Sequence, residues 1–328
     1  MPGEGERLEA ARAGDEGAFR ALAEPHRRGL LAHCYRMSGS LQEAEELVQD
    51  AMLRAWRGLP GFEGRSSFKT WLYRIATHAA LDAQKAASVR RLPAGEGEPT
   101  PPDTTGAPVL EPVWLEPFPD ALLPDEAPSP DASLSQRQSV GFAFLQALQR
   151  LPPTQRAALL LKEVVGSSAA EVAELLDTTT PAVNSLLQRA RTTLGEAPPP
   201  EPADERHEPL LRAYLQAFES ANVGDLVNLL RDDARLSMPP VPSWYLGVDA
   251  IAAWLGQNVL RPEAAGRFRG SLTRANGRPA VALHARGEDG VFRLLGVHVI
   301  EVVDGRIADV VAFMDPTVLR FFDLPAEI

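Results

Sequence analysis

Residues 168–194, SAAEVAELLDTTTPAVNSLLQRARTTL, restrict the fold more than any other stretch of this chain. Ala169, Val172, Ala173 and Leu176 recur at helical spacing, and Asp177 with the threonine run breaks the pattern. Pro181 then stands in the first turn of a second helix, where its missing N–H costs no hydrogen bond. The order is helix, tight turn, helix, as in a helix-turn-helix. The second helix offers Asn184, Ser185, Gln188, Arg189 and Arg191, whose donors and acceptors suit base edges and phosphate oxygens. Helix pairs of this size also occur in ordinary bundles, so the rest of the chain has to decide.

A length of 328 residues points to two or three domains. The single cysteine, Cys34, permits no internal disulfide and sits in the apolar run LLAHCYRM, which reads as a small buried hydrophobe in a reducing compartment. No stretch of about 18 apolar residues is present, and the N-terminus MPGEGERLEA lacks the basic and apolar regions of a signal peptide, so a soluble, cytoplasmic protein with no membrane partner is expected. The net charge of −11 argues at first against nucleic acid. It is unevenly spread, however: residues 1–91 and 136–195 each carry +2, whereas 92–135 carry −9 and 196–328 carry −6. Two mildly basic blocks are thus flanked by acidic ones, and DNA binding is not excluded.

The pattern divides the chain at two Pro-rich stretches. Residues 1–91 read as helical almost throughout. Residues 92–135 are acidic, Pro-rich and without periodicity, which marks a linker. A second helical block occupies 136–195, and a Pro-rich hinge follows at 196–206. Residues 207–328 change character. Two short helices, at 207–220 and 225–230, precede alternating segments near 234–238, 268–274, 280–286, 291–303 and 306–314, the later ones separated by RANGR, GEDG and VDGR turns. This reads as an α+β domain with a curved antiparallel sheet.

In the first block, helix 40–57 has an apolar face of Leu41, Ala44, Val48, Ala51, Met52 and Ala55. Glu43, Glu46 and Asp50 align on another face, either as a solvated stripe or as a dock for a basic partner helix. Downstream, Gly61 and Gly64 make a loop carrying Arg65, Ser66 and Ser67. The helix after it has Phe68, Trp71, Leu72, Ile75 and Ala79 as core and Lys69, Arg74, His78 and Lys85 outside. A basic helix beside such a loop suits phosphates and an unstacked base.

The combination of EAEELVQDAMLRAW, SSFKTWLYRIATHAALD, an acidic linker and the helix-turn-helix resembles bacterial sigma factors of the sigma-70 family, extracytoplasmic-function (ECF) class. The resemblance covers about 10–91 (sigma domain 2) and 136–195 (sigma domain 4), where LQRLPPTQRAALLLKEVVG matches the start of the latter. The segments PVWLEPFPDALL, SMPPVPSWYLGVDAIAAWL and GRIADVVAFMDPTVLRFFDLP resemble a subgroup with a C-terminal extension of the SnoaL-like, ketosteroid-isomerase-like cone fold, over 207–328. The chain departs from the family pattern at His78, where Asn is common, and at Asn184 and Leu186, where basic residues are common.

This resemblance implies two all-α sigma domains followed by the cone-shaped α+β domain. Its implied partners are RNA polymerase core enzyme and promoter DNA, and no cofactor or metal is implied. Glu43, Glu46 and Asp50 are then the core-polymerase dock. Arg65, Ser66, Lys69, Arg74, His78 and Lys85 face the −10 element, and Thr180, Asn184, Ser185, Gln188, Arg189 and Arg191 face the −35 element. The linker runs through the polymerase channel between them.

In the C-terminal domain, Phe292, Leu294, Gly296, His298, Ile300 and Val302 fall on one strand face, which points His298 into the cone, while His284 shares a face with Arg286 and points outward. Met238, Trp244 and His298 are candidate pocket residues, and core packing explains them as well. Three roles are open for this domain: a regulator in cis that takes a small-molecule ligand, a catalytic module using Asp or His, or a plain stabiliser. A regulatory interface finds apolar anchors in Trp114 and Phe118 of the linker.

Overall fold

Serine side chains set several helix starts in the N-terminal half. Ser40 accepts a hydrogen bond from the backbone N–H of Glu43, Ser67 from that of Thr70, and Ser168 from that of Glu171, whose carboxylate in turn accepts from the Ser168 N–H. The computed structural model describes residues 3–84, 89–109, 111, 113–124, 136, 138–194 and 207–328. They fall into two units, Met1–Val89 with Leu122–Pro199, and Arg90–Ala121 with Pro200–Ile328.

Among the described residues the elements of the first unit are all helical: α1 (Glu4–Arg12), α2 (Glu16–Ala23), α3 (Arg27–Ser38), α4 (Leu41–Gly58), α5 (Phe68–Ala83), α6 (Phe142–Gln149), α7 (Pro153–Glu163), α8 (Ala169–Leu175) and α9 (Thr180–Leu194). Its centre is α3, where Leu30, Cys34, Tyr35 and Met37 are fully buried against α4 and α5. Burial pushes the Cys34 thiol up to about 12, as expected of a cysteine that acts as a core hydrophobe. The apolar face of α4 is buried at Leu41, Ala44, Val48, Ala51 and Ala55, while Met52 is half-buried and Leu47 joins the core. Two arginines lie inside. Arg36 donates to the backbone and side-chain oxygens of Gln136, at 3.3 and 2.7 Å. Arg156 donates from Nε to Leu148 O (2.9 Å) and from its terminal nitrogens to Gln149 Oε1 (3.0 Å), Gln149 O (3.2 Å), Leu151 O (3.2 Å) and Met37 O. It thereby satisfies carbonyls at the C-terminus of α6 and joins α7 to α3, which a guanidinium's fixed fork can do with little entropic loss.

The second unit holds α10 (Glu208–Glu219), α11 (Val223–Val227), β1 (Leu230–Met238), β2 (Val241–Leu246), α12 (Val248–Asn258), β3 (Phe268–Ala275), β4 (Arg278–Arg286), β5 (Phe292–Val303), β6 (Arg306–Phe313) and α13 (Pro316–Leu319). The sheet order is β2-β1-β6-β5-β4-β3. It is mixed: β1 runs parallel to β6, and every other pair is antiparallel. The expectation of a wholly antiparallel sheet is corrected here, because α12 and four strands between β1 and β6 provide the long connection a parallel pair needs. Asn276–Gly277 and Asp304–Gly305 close the last hairpins with φ of 55°, 69°, 53° and 73°, both residues of each turn being in the left-handed region. The core lies between the sheet and α10–α12 and contains Tyr214, Phe218, Leu236, Tyr245, Trp254, Leu283 and Ile300.

Residues 90–121 are not free of this domain. Thr100 N donates to Trp244 O (2.8 Å), Gly106 N to Ser243 Oγ (2.7 Å) and Val109 N to Pro240 O (2.9 Å). At the far end Phe118 N donates to Asn276 Oδ1 and Asn276 N to Phe118 O, both at 2.9 Å, and Asp120 accepts from Gly277 N at 2.8 Å. The strand β2 and the β3–β4 turn lie at opposite edges of the sheet. The segment is therefore a strap fixed at both edges, where the composition predicts an unattached linker.

Candidate nucleic-acid interface and C-terminal cavity

Val183, Leu187 and Ala190 bury one side of α9 and leave Thr180, Asn184, Ser185, Gln188, Arg189 and Arg191 exposed together on the other. The turn before it is made by Leu176–Thr179, with Asp177 at φ 50°. Ser185 Oγ is turned back onto Pro181 O (3.1 Å), and Arg191 pairs with Glu163 of α7. The expected −35 residues thus share one solvent-facing helix surface, two of them with partners within the protein.

The loop 62–67 and α5 form a second surface. Phe62, Phe68 and Trp71 stack into an aromatic wall, with Phe62–Trp71 centroids 4.8 Å apart and Phe68–Trp71 5.8 Å apart. An open cleft of about 580 Å³ lies between this wall, Arg65, Ser66 and Arg74 on one side and Glu174, Asp177 and Thr178 on the other. Arg65 is the most exposed of the set and pairs with Glu63 (2.5 Å). Lys69 is half-buried. Arg74 pairs with Asp177, and His78 Nε2 lies 3.0 Å from Leu175 O and 3.3 Å from Asp177 Oδ2. The structure therefore brings two expected −10 residues onto the turn of the helix-turn-helix. The sequence marks Asp177 as a helix breaker and gives no sign of partners about a hundred residues away. Lys85 lies outside the described residues.

On α4, Glu46 is exposed, Glu43 is half-buried in the first turn, and Asp50 pairs with Arg54 one turn on (2.7 Å). The three carboxylates line one flank beside an exposed Leu53.

The C-terminal cavity has a volume of about 210 Å³. Met238 and His298 are among the residues that line it. Trp244 does not, because strand alternation sends Tyr245 inward and Trp244 to the opposite face of β2; Trp254 of α12 takes its place. His298 Nδ1 meets the Tyr214 hydroxyl at 2.8 Å, and burial lowers the imidazole to about 4. No carboxylate lines the cavity among the described residues. Asp309, raised to about 6 by burial and held 2.7 Å from Arg235, is not part of its lining. Leu294 does not line it either, whereas Leu295 does, because a bulge opposite Leu283/His284 shifts the alternation of β5. His284 is buried rather than outward and solvated, with Nε2 2.8 Å from Pro325 O of the C-terminal segment.

The Sigma-70 region 2 profile matches residues 22–89, the Sigma-70 region 4 profile matches 141–194, and the SnoaL-like domain profile matches 211–310. The ECF RNA polymerase sigma factor SigG of Mycobacterium tuberculosis is 44% identical over 321 residues, 95% of this chain and 85% of SigG. The chain belongs to the ECF RNA polymerase sigma factor family. SigW of Bacillus subtilis is 27% identical over 188 residues, which cover 57% of this ECF sigma factor and 92% of SigW. The crystal structure of the M. tuberculosis ECF sigma factor SigJ superimposes with a TM-score of 0.58 at 22% identity, covering 91% of this chain and 97% of that one, so the two share a fold. In the strap of this family member Phe118 and Leu115 are fully buried, and the half-buried Trp114 donates from Nε1 to Val109 O (2.9 Å). No described helix is long and apolar enough to cross a membrane.

Proposed function

We propose that this ECF sigma factor docks core RNA polymerase through Glu43, Glu46 and Asp50 of α4. It reads and opens the −10 element with loop 62–67, the basic face of α5 and, outside the described residues, Lys85, and reads the −35 element with the exposed face of α9. The observation that carries this reading is the match of the two sigma-region profiles, in order, within a chain 44% identical to an ECF sigma factor over nearly its whole length. The aromatic wall beside Arg65 suits an unstacked base, and the polar face of α9 suits a major groove. Arg74 and His78 reach DNA by exchanging Asp177 and Leu175 O for it.

The C-terminal unit acts in cis and carries out no chemistry of its own. The support is connectivity. Sigma domains 2 and 4 are joined through residues 90–140, and the first thirty of these are strapped to the C-terminal sheet. The 51 residues of 90–140 reach roughly 175 Å when stretched, whereas the 19 left after residue 121 reach only about 65 Å. Holding or releasing the strap therefore sets how far apart the two DNA-reading domains can be placed. The absence of a carboxylate partner for His298 among the cavity's described residues favours a non-catalytic role. For the dock, Glu46→Lys with Asp50→Lys is expected to leave stability within about 0.5 kcal/mol, since both are surface positions, and to lower co-purification with core polymerase; unchanged co-purification removes the assignment.

A further inference from the structure

The cavity between α10, α12 and the sheet is walled mainly by apolar side chains, among them Leu236, Met238, Trp254, Phe268 and Ala312, with the exposed Asn258 and Arg267 also in its lining, and its mouth opens beside the exposed Leu295 and Met314. At 210 Å³ it exceeds the roughly 150 Å³ that holds a benzene molecule in a protein core. One polar pair reaches it from inside, Tyr214 and His298. The Tyr214 hydroxyl has His298 Nδ1 as its sole acceptor (2.8 Å), so the phenol O–H donates and Nδ1 accepts. The ring proton is then on Nε2, which has no hydrogen-bond partner among the described residues, on a ring that lines the cavity. Burial holds this imidazole neutral at pH 7, with a pKa lowered to about 4. A water needs two to four polar partners to be held firmly, and this chamber offers it one donor deep among hydrocarbon.

We propose that the cavity is a binding site for an uncharged, mainly apolar molecule, of the size of a benzene ring with a short substituent, that presents one hydrogen-bond acceptor to His298 Nε2. Its apolar body fills the space beside Phe268 and Trp254, and its carbonyl, ether or hydroxyl oxygen satisfies the lone donor. The inner polar group is neutral, so the acceptor it meets needs no charge; Arg267, the cation of the lining, is exposed and lies over the Phe268 ring (5.7 Å). The wall also leads outward. Trp254 Nε1 donates to Thr105 Oγ1 of the strap (2.9 Å), and its ring stacks on Tyr245 (5.0 Å, 26°), whose hydroxyl donates to Thr104 O (2.8 Å). A ligand touching Trp254 therefore touches the residue that pins the strap, which gives the site a route to the segment joining the two sigma domains.

The test uses the full-length chain and three probes of equal heavy-atom count: acetophenone, isopropylbenzene and benzoate. Binding is followed by the indole N–H resonance of Trp254 in ¹⁵N–¹H spectra, assigned with Trp254→Phe. Acetophenone is expected to shift that resonance saturably and to bind at least fivefold more tightly than isopropylbenzene, with benzoate binding more weakly than acetophenone. His298→Phe should bind acetophenone and isopropylbenzene alike, and Ala312→Leu, which fills the cavity without touching the polar pair, should abolish both. Absence of a saturable shift, equal binding of the two neutral probes by the unaltered chain, or a shift that survives Ala312→Leu in a folded protein overturns the proposal.

Discussion

Asp177 holds two residues assigned to the −10 element, so its charge should oppose DNA binding there. The test substitution is Asp177→Asn, because the residue sits at φ 50°, where asparagine is tolerated and alanine is strained. The side chains of Asp177, Arg74 and His78 are 57%, 46% and 38% exposed, so both contacts are screened by water. Exposed pairs of this kind are worth about 0.2–1 kcal/mol each, and the two together about 0.4–2 kcal/mol. Removing that competition should tighten binding of a −10 non-template single strand by a factor of about 2 to 30, since about 1.4 kcal/mol is tenfold. Fluorescence anisotropy with a labelled oligonucleotide at fixed salt measures it. Losing any negative charge near DNA helps somewhat, so Glu174→Gln serves as the control: it removes a carboxylate from the same cleft without an ion pair to Arg74. If Asp177→Asn binds no more tightly than Glu174→Gln, the carboxylate is not holding Arg74 and His78 away from DNA.

Arg156→Lys should destabilise the first unit by about 2–4 kcal/mol in urea unfolding, because an ammonium cannot serve carbonyls of α6 and α3 at once and leaves buried acceptors unpaired. Arg191→Ala should weaken binding to all promoters by a similar factor and make the salt slope shallower by about one unit; a change confined to particular −35 sequences contradicts the phosphate role. The buried His298 should make the second unit acid-sensitive. Its folded pKa of about 4 lies below the usual 6.5, so the unfolded ring takes up a proton that the folded ring refuses. That contribution to stability is complete above pH 6.5 and is lost as pH falls towards 4, amounting to about 3 kcal/mol at 1.36 kcal/mol per pH unit. Asp309, raised to about 6, acts in the opposite sense, so the readout is the stability difference between the unaltered chain and His298→Phe across pH 7 to 4, which should shrink by that amount.

The elements most legible in the sequence are those whose neighbours are local. The helix-turn-helix follows from the spacing of Val172, Ala173, Val183, Leu187 and Ala190 around a turn that breaks the helical pattern. The hairpins of β3–β4 and β5–β6 follow from Asn276–Gly277 and Asp304–Gly305. Strand β2 is hidden by Pro239, Pro240 and Pro242, residues that a sheet tolerates at an edge, which is where β2 lies. The inward side of β5 is misread before residue 296 because a bulge leaves no mark in an apolar alternation. The strap is the largest omission. Its hydrogen bonds go to irregularly spaced partners at two distant edges, so no period records it. The one available signal is the presence of Trp114, Leu115 and Phe118 in a Pro-rich acidic stretch, since a solvated linker has no reason to carry three large apolar side chains together. The site residues follow the same division. The α9 face is fixed by its own helix and is readable, whereas the occupation of Arg74 and His78 by Asp177 is tertiary.

Promoter-directed initiation by the full-length chain is the claim on which the rest depends. Run-off transcription with core RNA polymerase from the source organism and a promoter library tests it most directly. The account predicts discrete transcripts that require the chain, that map downstream of paired −10 and −35 elements, and that change in output when Phe118→Ala loosens the strap at equal protein levels. Transcripts identical to those of core polymerase alone, at every promoter in the library, contradict it.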